Sequence, residues 1–339
     1  GPRSAGADPG PACYGKGGNE PTITDANLAL GRLNPHFFLG GRVTLDVERA
    51  RAAIQTRCAT MLGLDVVETA RAIVEIANTA MVNALRLVSV QRGYDPRDFV
   101  LVAFGGAGPV HANRLAEETE VGTLLVPLSP GTTSALGLLV TDLKRDYSQS
   151  LLQSFDQLDP LAVDAAFRHL EEQGSADLRR EAVRAEDVAF LRQFEMRYVG
   201  QSYELTVSVP DTSLGPADLA AARSQFHREH DRAYGYSAPE EPVELVNLRS
   251  SAIGRMARPR LREISGAARS VSEAEKARRP VYFTEAGGFV DCPIYDRSRL
   301  SPSQVISGPA VIEEFDSTTL VHPGFRARVD RFGNLLLTR

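Results

Sequence analysis

Phe104-Gly105-Gly106-Ala107-Gly108-Pro109-Val110-His111 is the segment whose residue types most directly admit chemistry. Glycines lack Cβ, so a planar base or a phosphate can approach the main chain closely. Pro109 suits a first helical turn, where its missing N–H costs nothing. The free N–H groups of that turn would face whatever fills the cleft. The same run also reads as a tight strand-to-helix turn with no ligand. A second Gly-rich loop, Ser129 to Gly137, offers the hydroxyls of Thr132, Thr133 and Ser134. These either bind phosphate or cap the next helix, and their residue types favour capping. Asp25, in Thr24-Asp25-Ala26-Asn27, reads as a helix cap or as a polar site residue.

Other signatures fail. Gly106-Ala107-Gly108 supplies two glycines of a GxGxxG fingerprint, but His111 stands where the third belongs. No acidic residue ends the following strand, so a dinucleotide site is not expected. There is no GxxxxGK[ST] loop and no GxSxG elbow. His227 and His230 are spaced to share a metal on a helix. Without HExxH or a third ligand nearby, a solvated helix face is expected. His36, His169 and His322 are isolated and receive no role.

The elements that must position these residues follow from periodicity. Thr22-Ile23-Thr24 reads as a short extended piece, with Asp25 capping a helix through Ala26–Leu30. Two helices are expected over 46–92. Gly63 divides them, Asp65 caps the second, and its apolar residues recur every three to four positions. Phe99–Phe104 is a continuous apolar run of strand length, expected to be buried on both faces. A helix from Val110 to Glu118 and a buried strand at Thr123–Pro127 follow, giving a parallel pair with a right-handed crossover. Beyond residue 145 the pattern is α+β: helices over 159–182 and 216–233, strands at Ala189–Val199, Tyr203–Val209 and Val243–Ile253. A polar linker is expected over 258–279. Short apolar runs between turn residues from Pro280 onward suggest a separate all-β unit. No repeat of fixed period is present.

Composition bounds the function. The chain has 339 residues, 38 Lys and Arg against 43 Asp and Glu, and a net charge of −5. A length of this kind predicts two or three domains. The acidic balance argues against nucleic acid as a partner, and no 18-residue uninterrupted apolar stretch argues for a membrane span. Three distant cysteines, Cys13, Cys58 and Cys292, form no CxxC pair. A reducing, cytoplasmic setting is therefore expected, with no disulfide framework or zinc knuckle. The opening residues lack a charged region followed by an apolar one, so no signal peptide is expected. The chain also opens without Met, as though cut from something longer.

Several of these segments together resemble the hydantoinase A / 5-oxoprolinase family, which includes subunits of acetone and acetophenone carboxylases. They are Gly1–Gly15, Pro21–Asn27, Phe104–Ala112, Tyr198–Leu205 and Gly308–Glu313. The resemblance implies an α/β, actin-like ATPase (sugar kinase/actin superfamily) fold. Residues 1–145 would form a partial lobe, with an α+β region at 146–257, a linker at 258–279 and a β-rich unit at 280–339. It implies ATP in a cleft between two domains, with Mg²⁺, and a hydantoinase B-type partner. ATP would activate a cyclic amide, imide or ketone carbonyl, since phosphorylating a poor electrophile's oxygen creates a leaving group. The family's N-terminal phosphate loops have no match here, so the chain resembles a C-terminal half whose phosphate and metal machinery lies mostly on the other half. By resemblance, Gly105, Gly106, Ala107, Gly108 and Pro109 form the adenosine-side loop, with His111, Asp25, Asn27, Thr132 and Thr133 as further candidates. The rival reading is a non-catalytic module that docks a B-type subunit.

Overall fold

The computed structural model describes residues 3–258, 261–264 and 270–339. Two compact units emerge. The first combines 1–137 with 260–339, and the second is 138–259.

The first unit opens with helices. α1 (Ile23–Ala29) is capped by Thr22, not by Asp25, which sits three residues in and closes a capping box. Thr22-Ile23-Thr24 is thus the start of a helix and not an extended piece. α2 (Val47–Ile54) is capped by Asp46 and runs through a π turn at Gln55–Ala59 into α3 (Thr60–Leu62). Gly63 ends it at φ 67°, a left-handed stop that glycine makes without strain. α4 (Val66–Val88) starts from an Asp65–Glu68 capping box. The helical stretch 66–92 is long and apolar enough to cross a membrane by length and composition, although polar residues interrupt it. Here α4 packs against α1, with Ala70 and Val74 sharing a core with Ala26, Leu30 and Ile54.

β1 (Val100–Val102), α5 (Gly108–Glu118) and β2 (Thr123–Val126) form the expected parallel crossover. The expected two-sided burial of Phe99–Phe104 is not found. β1 is the edge of a five-stranded sheet, and Phe99, Val100, Val102 and Phe104 are each about half exposed. α6 (Thr133–Val140) follows.

The second unit is an antiparallel sheet with order β3-β6-β4-β5, where β3 is Leu143–Ser154, β4 Val188–Tyr198, β5 Leu205–Val209 and β6 Val243–Gly254. The helices α7 (Pro160–Arg180) and α8 (Pro216–Tyr234) supply Phe167 and Phe226 to a core with Phe194, Met196 and Leu248. β3 was absent from the sequence reading, because Lys144-Arg145-Asp146 and its Ser and Gln residues lack an apolar alternation.

The C-terminal region does not stand apart. β7 (Glu275–Phe283) begins inside the expected linker and pairs with β8 (Gly288–Asp296). Residues 259–260 and 265–269 of that linker lie outside the described residues. β9 (Val305–Ser307), β10 (Ala310–Glu313), β11 (Thr318–Val321), β12 (Arg326–Val329) and β13 (Leu335–Thr338) complete two sheets, β1-β2-β13-β12-β9 and β11-β10-β8-β7. β13 pairs antiparallel with β2, Leu335 opposite Val126. The separate β domain is therefore corrected: its strands share cores with the N-terminal lobe. Leu335 and Leu337 pack with Leu124 and Val126, while Val110 packs with Val311 and Leu320.

Candidate functional site

The bend after β1 is built as glycine permits. Gly105 takes φ +81°, and its amide donates to the Pro130 carbonyl at 2.8 Å. Nothing lies within 4 Å of where a Gly105 side chain would begin, and Gly106 and Ala107 are exposed. α5 then starts at Gly108 with Pro109 in its first turn and no side-chain cap at Ala107. A helix start without a side-chain cap presents positive partial charge and main-chain donors to the exterior.

The two Gly-rich loops come together. Besides the Gly105–Pro130 bond, the turn between β10 and β11 holds both. Ser317 Oγ reaches the carbonyl oxygens of Gly105 and Gly106, at 3.3 Å each. A Cβ on Gly131 would collide with the Asp316 side chain, so any larger residue there would force Asp316 to move. Sequence reading missed this turn, Glu314-Phe315-Asp316-Ser317. Its signal was an acidic, hydroxyl-bearing break between two short apolar runs. Glu314 beside it is half-buried with its carboxylate turned inward, and that desolvation raises its carboxyl to about 7 against the pull of Arg297. Its Oε1 has no hydrogen-bond partner.

Thr132 and Thr133 are in the second loop but do not show the expected capping. Thr132 Oγ1 donates to the Ser129 carbonyl at 3.1 Å, while Thr133 Oγ1 is buried without a partner. Ser129, which precedes the turn, makes no side-chain cap bond and sits at φ 54°.

Asp25, Asn27 and His111 are elsewhere, in a buried polar layer. Asp25 is fully buried and accepts from Cys13 N (2.8 Å), Ala12 N (3.2 Å), Thr22 N (2.8 Å) and Thr22 Oγ1 (2.7 Å). It thereby ties the opening loop to α1. Burial, followed by the Asp25 charge, pushes the Cys13 thiol strongly up, so Cys13 is an inert core residue. His111 Nδ1 lies 2.8 Å from Asn78 Oδ1, which only accepts, so Nδ1 carries the proton. Nε2 then accepts from the Asn27 amide at 3.3 Å. Burial, helped by the charge of Arg32, lowers His111 to about 4 and keeps it neutral. These residues hold α1, α4 and α5 together, and their polar atoms are used internally.

His227 and His230 also depart from expectation. His230 is fully buried, with Nδ1 2.8 Å from the Tyr236 carbonyl and Nε2 3.1 Å from Gln201 Nε2. His227 Nδ1 accepts from the Tyr198 hydroxyl at 2.7 Å. The pair fastens the Gly200-Gln201 turn to α8 and is not a solvated face. Among the described residues, no group of three His, Cys, Asp or Glu side chains could hold a metal ion.

Comparisons with known proteins identify the family. Residues 1–147 match the hydantoinase/oxoprolinase family model, and 157–338 match the hydantoinase/oxoprolinase C-terminal domain. The chain is 39% identical over its whole length to caprolactamase subunit alpha of Pseudomonas jessenii, covering 49% of that protein. It is 32% identical to the acetophenone carboxylase gamma subunit of Aromatoleum aromaticum, with 99% of this chain and 47% of that one aligned. The crystal structure of the ATP-dependent caprolactamase from Pseudomonas jessenii superimposes with a TM-score of 0.81, over 100% of this chain and 49% of that chain. Nucleotide-free acetone carboxylase, 27% identical, gives 0.79 over 96% of this chain and 48% of its own. The chain spans about half the length of these relatives. With both family models matched across nearly all of its residues, the chain belongs to the hydantoinase/oxoprolinase family.

Proposed function

We propose that this chain is the nucleoside-facing half of an ATP-binding, actin-like subunit that activates a cyclic amide or imide carbonyl for hydrolytic ring opening. The observation that carries the reading is the open bend at Gly105–Ala107, with exposed main chain at the uncapped start of α5. The fit to a nucleoside rests on that bend: no neighbouring side chain fills it, and Ser317 fixes the orientation of its carbonyls. Gly105, Gly106, Ala107 and Gly108 would hold the nucleoside by main-chain contact, with Thr132 and Thr133 on the adjoining loop. Pro109, His111, Asp25 and Asn27 act behind them, fixing α5 and α1.

Bound ATP supplies a phosphoryl group that makes an unreactive amide oxygen a leaving group. Mg²⁺ and the phosphate-binding loops are assigned to an N-terminal half, with a hydantoinase B-type subunit completing the substrate site. The bare apolar edge of β1, with Phe99, Val100, Val102 and Phe104 exposed, is where we place that half. The likeness to the two ketone carboxylases supports a second reading, with a ketone as substrate.

The test combines this chain with the N-terminal half and titrates ATP by calorimetry, for wild type and Gly106→Val. A Cβ at Gly106 meets the Asp316 carbonyl at 3.2 Å, so the branched side chain must project into the bend or displace the turn. Affinity is expected to fall about tenfold or more, or about 1.4 kcal/mol, with the circular dichroism spectrum retained. Unchanged affinity would remove the site. Amide-dependent ATP hydrolysis is expected only from the combined halves and the B-type partner, and turnover by this chain alone would contradict the assignment.

A further inference from the structure

The second unit has two sheet edges, and they are built differently. β3 carries Lys144, Arg145 and Asp146 in succession, and its pairing with β6 is broken by a bulge between Ser150 and Gln153. Charges and bulges are the devices by which an edge avoids recruiting another strand. β5 has neither. Leu205-Thr206-Val207-Ser208-Val209 is uncharged and rich in β-branched residues, and it pairs with β4 in unbroken register. Beside it runs a groove of about 360 Å³, floored by Thr206–Pro210 and walled by one stripe of α8. That stripe has Asp218 at one end, Ala221, Ala222 and Gln225 in the middle, and Arg228 and Glu229 at the other.

Two charges of the stripe lack an opposite partner among the described residues. The Arg228 guanidinium donates to Gln225 Oε1 at 2.5 Å and has no carboxylate within ion-pair distance. Asp218 accepts the Gly215 amide at 2.8 Å and has no cation there. Glu229 is engaged by the Gln225 amide at 2.6 Å.

The geometry points to a second copy of this chain as the occupant, with β5 of each pairing antiparallel about a two-fold axis near Val207. A short connection returns α8 along β5, so Asp218 lies beside the end of the strand and Arg228 beside its start. The same axis therefore sets the two copies of α8 antiparallel. Arg228 of each copy faces Asp218 of the other, and Ala221 and Ala222 let the helices approach. Such an interface is self-complementary, as two-fold symmetry requires. An unrelated extended peptide would satisfy the strand edge but would leave both charges unmatched.

The test is sedimentation velocity of the 339-residue chain across a micromolar concentration series. A monomer–dimer equilibrium is expected. Asp218→Arg and Arg228→Asp should each weaken it about tenfold or more, because like charges then face across the axis. The double swap should restore it. Ala221→Arg, at an exposed position, should weaken it without altering the circular dichroism spectrum. A monomer at every concentration overturns the proposal, as does a dimer that none of these variants disturbs. So does an edge occupied only when a different protein is added.

Discussion

A buried histidine and a half-buried carboxyl in the first unit titrate in opposite senses over one pH interval, and replacing one should expose the other. His111 is neutral in the fold, lowered from 6.5 to about 4 by burial. Between those values the unfolded chain binds the proton and the folded chain does not, so stability falls as pH falls. Glu314 is raised from 4.5 to about 7 by burial. Between those values the folded chain binds the proton, so stability falls as pH rises. At about 1.4 kcal/mol per pH unit, each interval is worth about 3 kcal/mol, and the two slopes cancel where they overlap. Wild type should therefore show nearly constant stability from about 4.5 to 6.5. Glu314→Gln should raise stability by about 2–3 kcal/mol above pH 7, because the carboxyl that burial disfavours in its ionised form is then gone. It should also uncover a loss of about 3 kcal/mol on acidification from 6.5 to 4. Glu285 stays outside the window: its hydrogen bond from His322 holds it to about 2, so its contribution disappears only below 4.5. The assay is urea unfolding followed by far-UV circular dichroism at a series of pH values, since the chain contains no Trp. An unchanged midpoint for Glu314→Gln at pH 7.5, or a wild-type loss of the full 3 kcal/mol across the shared window, would refute the reasoning.

Asp25→Asn should destabilise the first unit by about 3 kcal/mol. An amide nitrogen would then face the donors at Ala12 and Thr22, and the shift in urea midpoint reports it. In the second unit, Arg192 is buried and bonded to Asp164 Oδ1 at 2.8 Å and Glu171 Oε1 at 2.6 Å. Arg192→Met should cost about 3–5 kcal/mol by stranding those carboxylates. Adding Asp164→Asn and Glu171→Gln should recover part of that loss, read as the urea midpoint.

Sequence legibility differed by kind of signal. Helices with strong periodicity and caps, such as α4 and α7, lay where residue patterns placed them, because one-sided burial imposes a spacing that survives in the sequence. Burial of strands did not survive in the same way. Phe99–Phe104 has the composition of an interior strand yet lies at an edge, and β3 has the composition of a surface loop yet runs for twelve residues. Composition reports what a segment tolerates, whereas its neighbours decide how it is covered. At the site, the glycines were legible because close approach leaves few alternatives to them. The holding turn at Asp316 and Ser317 was not, since it lies about 210 residues along the chain from the bend it grips. Asp25 drew notice as a helix cap or polar site residue, and Asn27 and His111 through the family resemblance. Their work proved to be internal fastening, which residue type alone does not separate from ligand contact.

The seating of β13 between β2 and β12 has a kinetic consequence. Leu335, Leu336 and Leu337 find their partners at Val126, Leu125 and Leu124 only after everything between has been synthesised. During translation the early strands wait with an unfilled lane beside them, and the second unit, whose segment is contiguous, can mature first. Closure of the first unit thus depends on residues synthesised long after β2. Such distant pairing slows folding, and a chain lacking those few residues would lose an interior strand, not a dispensable tail.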